Sequence, residues 1–229
     1  MSTAALSHKN LVVALIVRVG LFIPVMMLVL FVPAGTLAYW QGWIYLLVLL
    51  VPALAIFPWL LKNSPDLLAN RMRMREKNTT QQWVVSLSWL FLVAAYVVPG
   101  LDYRWGWSNT SWPVVIAADV LVVASYLFVL WVFRVNRFAS RVVEVTQAQR
   151  VIDTGPYAWM RHPMYTGAIV MYLASPIALG SYWAVLPALL IVPILVVRII
   201  DEEATLRREL PGYAAYMEHV RYRLLPGVW

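Results

Sequence analysis

Apolar runs long enough to cross a bilayer recur along this chain at roughly 11–33, 40–61, 83–100 and 113–135. Each is close to the ~20 residues that a membrane helix needs. A fifth block, 163–200, is about twice that length. Gly180 and Ser181 interrupt it, with Pro176 and Pro187 on either side, so it reads as two helices joined by a tight hairpin. The runs lack the strict alternation of a barrel strand, and lipid cannot satisfy exposed backbone polar groups. The pattern therefore predicts an all-α fold, a polytopic transmembrane helical bundle of five to six spans. Residues 1–135 form its N-terminal helices. Residues 136–229 form a region with the hairpin and a cytosolic C-terminal helix, all within one integrated domain. The run at 11–33 exceeds the apolar core of a signal peptide and has no small-residue cleavage site after it, so it is expected to be a retained first span.

Composition agrees with that pattern. The chain is 62% hydrophobic and only 13% charged, whereas a soluble domain carries about 25% charged residues. Trp40, Trp43, Trp59, Trp83, Trp105, Trp107 and Trp112 fall near the expected span ends, where amphipathic rings settle at headgroup level. No cysteine is present, which removes disulfides, thiolate-ligated zinc and thiol nucleophiles. The histidines, His8, His162 and His219, are too few and scattered for a metal cage, so no metal site is expected.

Charge then sets orientation. Basic residues cluster at 62–82 (Lys62, Arg71, Arg73, Arg75, Lys77), at 134–162 (Arg134, Arg137, Arg141, Arg150, Arg161) and in the tail from 198 (Arg198, Arg207, Arg208, Arg221, Arg223). With Lys9, these fall on one side of a six-span arrangement, while the opposite loops carry only Arg104. The positive-inside rule then puts both termini and all three basic segments in the cytoplasm. The net charge of +7 is thus a topology signal and a contact with anionic headgroups, with no implication of nucleic-acid binding. Arg18 and Asp119 lie inside expected spans. Intramembrane charges are functional candidates, although Arg18 is close enough to the cytoplasmic end to snorkel.

Two polar clusters carry candidate chemistry. The first reads Gly155-Pro156-Tyr157-Ala158-Trp159-Met160-Arg161-His162-Pro163-Met164-Tyr165-Thr166-Gly167. Gly155-Pro156 is a turn. His162 precedes a proline and should be non-helical, and Pro163 opens the next helix at a position where its missing N–H costs nothing. Arg161 and His162 are thereby held at a helix N-terminus, a natural anion site. A plain basic entry into a span would also explain these residues. The second cluster is Arg198, Asp201, Glu202 and Glu203. Arg198 and Glu202 share a helix face, and Glu203 is turned about 100° away. A solvated helix continuing past the membrane would show the same charges.

Taken together, Gly-x-Tyr-Ala-Trp-x-Arg-His-Pro-x-Tyr-x-Gly at 155–167 and Arg-x-x-x-Glu-Glu at 198–203 resemble the isoprenylcysteine carboxyl methyltransferase family. The ending, Tyr213-x-x-Tyr216 with Arg223-Leu224-Leu225-Pro226, is similar too, and the resemblance covers about 136–229. It implies a cytosolic pocket, open to the bilayer, for S-adenosyl-L-methionine. Gly155, Tyr157, His162, Tyr165 and Gly167 would shape that pocket, and Glu202, with or without Glu203, would face the cofactor's ammonium. Arg161 and Arg198 would orient the nucleophile of a lipophilic substrate, such as a prenylated cysteine, a lipid or a small lipophile. Rival readings are a phospholipid or small-molecule N- or S-methyltransferase, a sterol-reductase-like NADPH-dependent membrane reductase, and a membrane scaffold without activity. The adjacent carboxylates suit an ammonium and repel a dinucleotide phosphate, which favours methyl transfer over reduction.

Overall fold

The structure, a computed structural model, describes residues 8–72, 79–139 and 149–229. Arg73, Arg75, Lys77 and Arg141, which enter the orientation argument, lie outside the described residues. Eight α-helices follow one another among those described: α1 (His8–Ala34), α2 (Trp40–Asn63), α3 (Pro65–Met72), α4 (Thr79–Trp105), α5 (Trp112–Val135), α6 (Pro163–Ala178), α7 (Val185–Glu209) and α8 (Tyr213–His219). A 3-10 turn, Gly155–Ala158, precedes α6. The described residues contain no strand, and the chain is a polytopic helical membrane bundle, as its apolar pattern requires.

Four of these helices are long and apolar enough to cross a membrane: Leu11–Ala34, Trp40–Asn63, Gln82–Trp105 and Trp112–Val135. Five or six were expected, and the hairpin accounts for the difference. Helix α6 has 16 residues, about 24 Å of rise. The apolar part of α7, residues 185–197, ends at Arg198 after roughly 20 Å. Neither matches a hydrocarbon core of ~30 Å. The hairpin packs with α6 along α5 and α7 along α4, while Leu186, Leu189, Leu190, Val197 and Ile200 of α7 remain exposed.

The rest follows from which faces are apolar. Val13, Val17, Leu21, Val25, Leu28 and Val32 are exposed along α1, as on a helix that faces lipid. Leu30, Tyr39, Tyr45, Leu49, Val122, Ala178 and Leu179 are buried in one core cluster toward one end of the bundle. A polar seam crosses that cluster: the Tyr45 hydroxyl donates to Ser175 Oγ at 2.6 Å and shares a hydrogen bond with the Tyr96 hydroxyl at 3.0 Å. At that same end, the buried Asp102 carboxylate accepts from Ser108 N, Ser108 Oγ and Ser181 Oγ, tying α4 to the hairpin tip. Trp40, Trp43, Trp105, Trp107 and Trp112 are exposed on the helix ends nearby, in keeping with an interfacial belt.

Of the two charges inside spans, Asp119 is buried on α5 with neither carboxylate oxygen hydrogen-bonded. Arg18 faces outward on α1. The two make no ion pair, as their separation along the bundle predicts.

Candidate functional site

The opposite end of the bundle gathers the two polar clusters. Gly155 turns the chain at φ +58°, and a Cβ there would lie 2.9 Å from Val135 Cγ2. Only glycine fits both conditions. The turn carries Tyr157 back to the end of α5, where Asn136 Nδ2 donates to its hydroxyl at 2.9 Å. Gly167, on α6, serves a similar purpose. A Cβ on it would meet Val129 Cγ2 at 2.8 Å and Phe128 Cδ1 at 3.2 Å, so its bareness lets α6 lie close against α5. Both glycines were expected to shape a cofactor pocket. Neither lines the cleft; both instead let neighbouring segments pack closely against α5.

His162 caps α6 in a non-helical conformation (φ −125°, ψ 58°), with Pro163 next. The sequence marks this helix start as an anion site, and a buried anion is indeed bound there, but it belongs to the chain. Glu203 Oε1 accepts from Arg161 Nε at 2.6 Å and lies 3.1 Å from His162 Nε2, while Glu203 Oε2 accepts from Arg223 Nε at 2.8 Å. Burial alone would push this carboxyl up. The bonds from His162, Arg161 and Arg223 outweigh that and pull it down to about 2. Arg161 Nη1 also donates to the Val220 and Arg221 carbonyls, at 2.7 and 2.8 Å. The backbone N–H groups of Arg161 and His162 donate to the carbonyls of Tyr222 and Arg223. The tail after α8 is therefore stitched to the Arg-His-Pro turn, with Arg223 lying over the Trp229 ring.

Glu202, one residue earlier, faces elsewhere. Its Oε2 accepts from the Tyr165 hydroxyl at 2.7 Å, and that hydroxyl accepts from Arg198 Nε at 2.8 Å. Two spaces adjoin this relay. A cleft on one side is lined by Tyr157, Arg161, His162, Glu202, Tyr213 and Tyr216, among others. A groove on the other side is lined by Arg198, Arg71, Ser88, Trp89, Leu92 and Tyr172. Met164 and Tyr165 line both and form the wall between them. The structure thus brings Tyr157, His162, Tyr165 and Glu202 together, buries Glu203 behind them, and puts Arg161 and Arg198 in different compartments.

Residues 113–210 match the phospholipid methyltransferase family. No curated protein matches the chain. The methyltransferase match runs from α5 to the end of α7 and takes in the Arg-His-Pro turn, the Tyr165 wall and the acidic pair. Together with the apolar helices it supports a membrane methyltransferase.

The sequence offers no role for Arg223, which also donates to Glu203, or for the cleft walls contributed by α8. Tyr213 and Tyr216 are buried there, and the Tyr216 hydroxyl donates to the Tyr157 carbonyl at 2.8 Å. The Tyr213 hydroxyl is buried without a hydrogen-bond partner. Burial and the nearby Glu203 and Glu202 carboxylates hold its ionisation well above the usual phenol range. The signal available was two tyrosines at helical spacing on a short segment, directed at one face.

Proposed function

We propose that this chain transfers a methyl group from S-adenosyl-L-methionine to a lipophilic acceptor bearing an anionic group, in the manner of an isoprenylcysteine carboxyl methyltransferase. The observation that carries the reading is the paired compartments. A carboxylate-bearing, tyrosine-walled cleft lies across one side-chain wall from a groove that presents two arginines and, among the described residues, no acidic one.

The cleft suits the cofactor by the chemistry of its donors. Glu202 would hold the ammonium, and Tyr157 and Tyr216 offer ring faces. The orphaned Tyr213 hydroxyl is a buried polar atom awaiting a partner. Bound there, S-adenosyl-L-methionine would supply an electrophilic methyl on its sulfonium. Everything else falls to the chain. Methyl transfer asks mainly for alignment, and Tyr165, fixed between Arg198 and Glu202, stands where the two compartments meet. Arg198 would hold the acceptor's anionic oxygen. A carboxylate is already ionised at neutral pH and needs no base. Glu203 is held by Arg161, His162 and Arg223 and would take no part in holding the cofactor.

The family match favours a second reading, a phospholipid amine as acceptor. An amine must lose a proton, and the hydroxyl of Tyr165 connects the groove to Glu202, a carboxylate placed to receive it.

Purified protein should bind S-adenosyl-L-methionine saturably and NADPH not at all, measured by calorimetry in detergent. Saturable binding of NADPH alone would overturn the cofactor assignment. Glu202→Ala should weaken cofactor binding about tenfold, the worth of one charge-assisted contact. Wild-type affinity in that variant would remove Glu202 from the ammonium site. Transfer of labelled methyl to a farnesylated cysteine carboxylate, set against a phosphatidylethanolamine amine, separates the two acceptors. We further place the cleft and both termini on the cytoplasmic side. Since the chain has no cysteine, a single Met74→Cys reports orientation cleanly. It should resist an impermeant thiol reagent applied to intact cells, and its labelling would reverse the topology.

A further inference from the structure

The groove beyond the Tyr165 wall has a definite depth. Val84, Val85, Ser88, Trp89 and Leu92 line it on α4, and Met164, Tyr165, Ala168 and Tyr172 line it on α6. Each set recurs at helical spacing and so marks one face of its helix. Each spans about 12 Å of helical rise. The two helices run in the same direction, since Asp102 near the end of α4 accepts from Ser181 just past α6. The groove is thus a slot between two parallel ladders, leading into the bundle from Tyr165.

The slot also has a floor. Tyr96 stands one turn past Leu92, and Ser175 one turn past Tyr172. Tyr45 of α2 joins them, its hydroxyl donating to Ser175 Oγ at 2.6 Å and sharing a hydrogen bond with the Tyr96 hydroxyl at 3.0 Å. Ala95 and Ala174 are buried beside this link. Leu92 and Tyr172 pack just short of it, in one cluster with Leu195. A longer slot would have to break buried hydrogen bonds that tie three helices together, and such bonds are costly to leave unmade. Midway along, Ser88 and Ala168 put small side chains on the two ladders, where larger ones stand at either end.

We infer that this slot gauges the length of the acceptor. It takes an apolar body of about ten bonds, since bonds of about 1.5 Å meeting at about 111° advance an extended chain about 1.25 Å each. Leu92 and Tyr172 set the limit, and Ser88 and Ala168 leave room for the chain to pass. The limit comes from shape and owes nothing to the charge of the arginines at the mouth. It rests on the methyl-transfer reading in one respect, that the reacting end of the acceptor lies at the Tyr165 wall.

Photolabelling of the full-length protein in detergent tests the slot without any methyl transfer. Decanoate carrying a diazirine at its last carbon should label Leu92, Tyr172 and their neighbours, read by peptide mass spectrometry. Hexanoate carrying the same group should label Ser88 and Ala168 instead. Identical labelling by the two probes would overturn the inference. Methyl transfer to straight-chain carboxylates of 6 to 16 carbons then tests the gauge. The wild-type kcat/KM should peak near the decanoate length and fall about tenfold by hexadecanoate, the least that an overlong chain costs in a closed apolar pocket. Leu92→Ala should move the peak to longer chains and Ala168→Phe to shorter ones. A rate that stays level from decanoate to hexadecanoate would refute the gauge, as would an unmoved peak in both folded variants. No transfer to any carboxylate, with the two labelling patterns distinct, would uphold the slot and remove the acceptor chemistry.

Discussion

Replacing Glu203 with alanine is expected to cost 3–5 kcal/mol, the penalty for breaking a buried ion pair from one side. The size follows from what would be left behind. Arg161, His162 and Glu203 are buried together, and the carboxylate is the shared acceptor for Arg161, His162 and Arg223. Without it, cations from the α6 entrance and from the tail face one another with no anion between them. The tail should then detach, so limited proteolysis at Arg221 and Arg223 should accelerate along with the fall in melting temperature. The pH dependence has a definite sign. In the fold the carboxyl sits at about 2, against 4.5 for an ordinary glutamate. A depressed carboxyl contributes its full stability above the unfolded value and loses it as pH falls through the folded one. That contribution is about 3 kcal/mol at neutral pH, lost between pH 4.5 and 2. Thermal denaturation of wild type and Glu203→Gln should therefore differ widely at pH 7 and converge toward pH 2. If Glu203→Ala melts like the wild type at pH 7, the Glu203 cluster does not hold this end of the bundle together.

The meeting of the Arg-His-Pro turn with the acidic pair was legible because each cluster announces its own place. Pro163 fixes a helix start, and Arg198 through Glu203 extend a helix past its apolar run. Which carboxylate does what was not legible. The 100° step between Glu202 and Glu203 says only that they face differently. The rotation of α7, which turns Glu202 to the cleft and Glu203 to the buried cations, is set by its packing against α4 and α6. The backbone N–H groups of Arg161 and His162 read as an open anion site for a similar reason. Their occupants, the carbonyls of Tyr222 and Arg223, lie some 60 residues downstream, where the Arg-Leu-Leu-Pro ending gives no hint that its backbone returns to this turn. Gly155 and Gly167 both mark a close approach, and the neighbour that approaches is α5, at Val135 and Val129. The expected span count exceeded the four long apolar helices because hydropathy reports burial, and α6 and α7 are apolar through burial inside the protein as much as through contact with lipid.

The same geometry separates two arginines that sequence reasoning treats as a pair. Arg198→Ala is expected to lower turnover 10²–10³-fold, the usual loss when one preorganised electrostatic donor is removed, with cofactor affinity changed only a few-fold. Arg198 is buried, lines the groove, and reaches the cleft wall through the Tyr165 hydroxyl. Arg161 lines the cleft and not the groove, and its Nε and Nη1 are committed to Glu203 and two backbone carbonyls. Arg161→Ala should therefore act as Glu203→Ala does, by destabilising the tail and the cleft wall, and what turnover it loses should track the folded fraction. The discriminating measurement is turnover per folded molecule, with labelled methyl on a farnesylated cysteine carboxylate, beside calorimetric cofactor affinity for each variant. Arg198→Lys sharpens it, since a lysine keeps the charge without the planar fork and should recover some of the rate. A well-folded Arg161→Ala variant with an Arg198-sized loss of turnover would return both arginines to the acceptor. Normal turnover in Arg198→Ala would take the acceptor's anion out of that groove altogether.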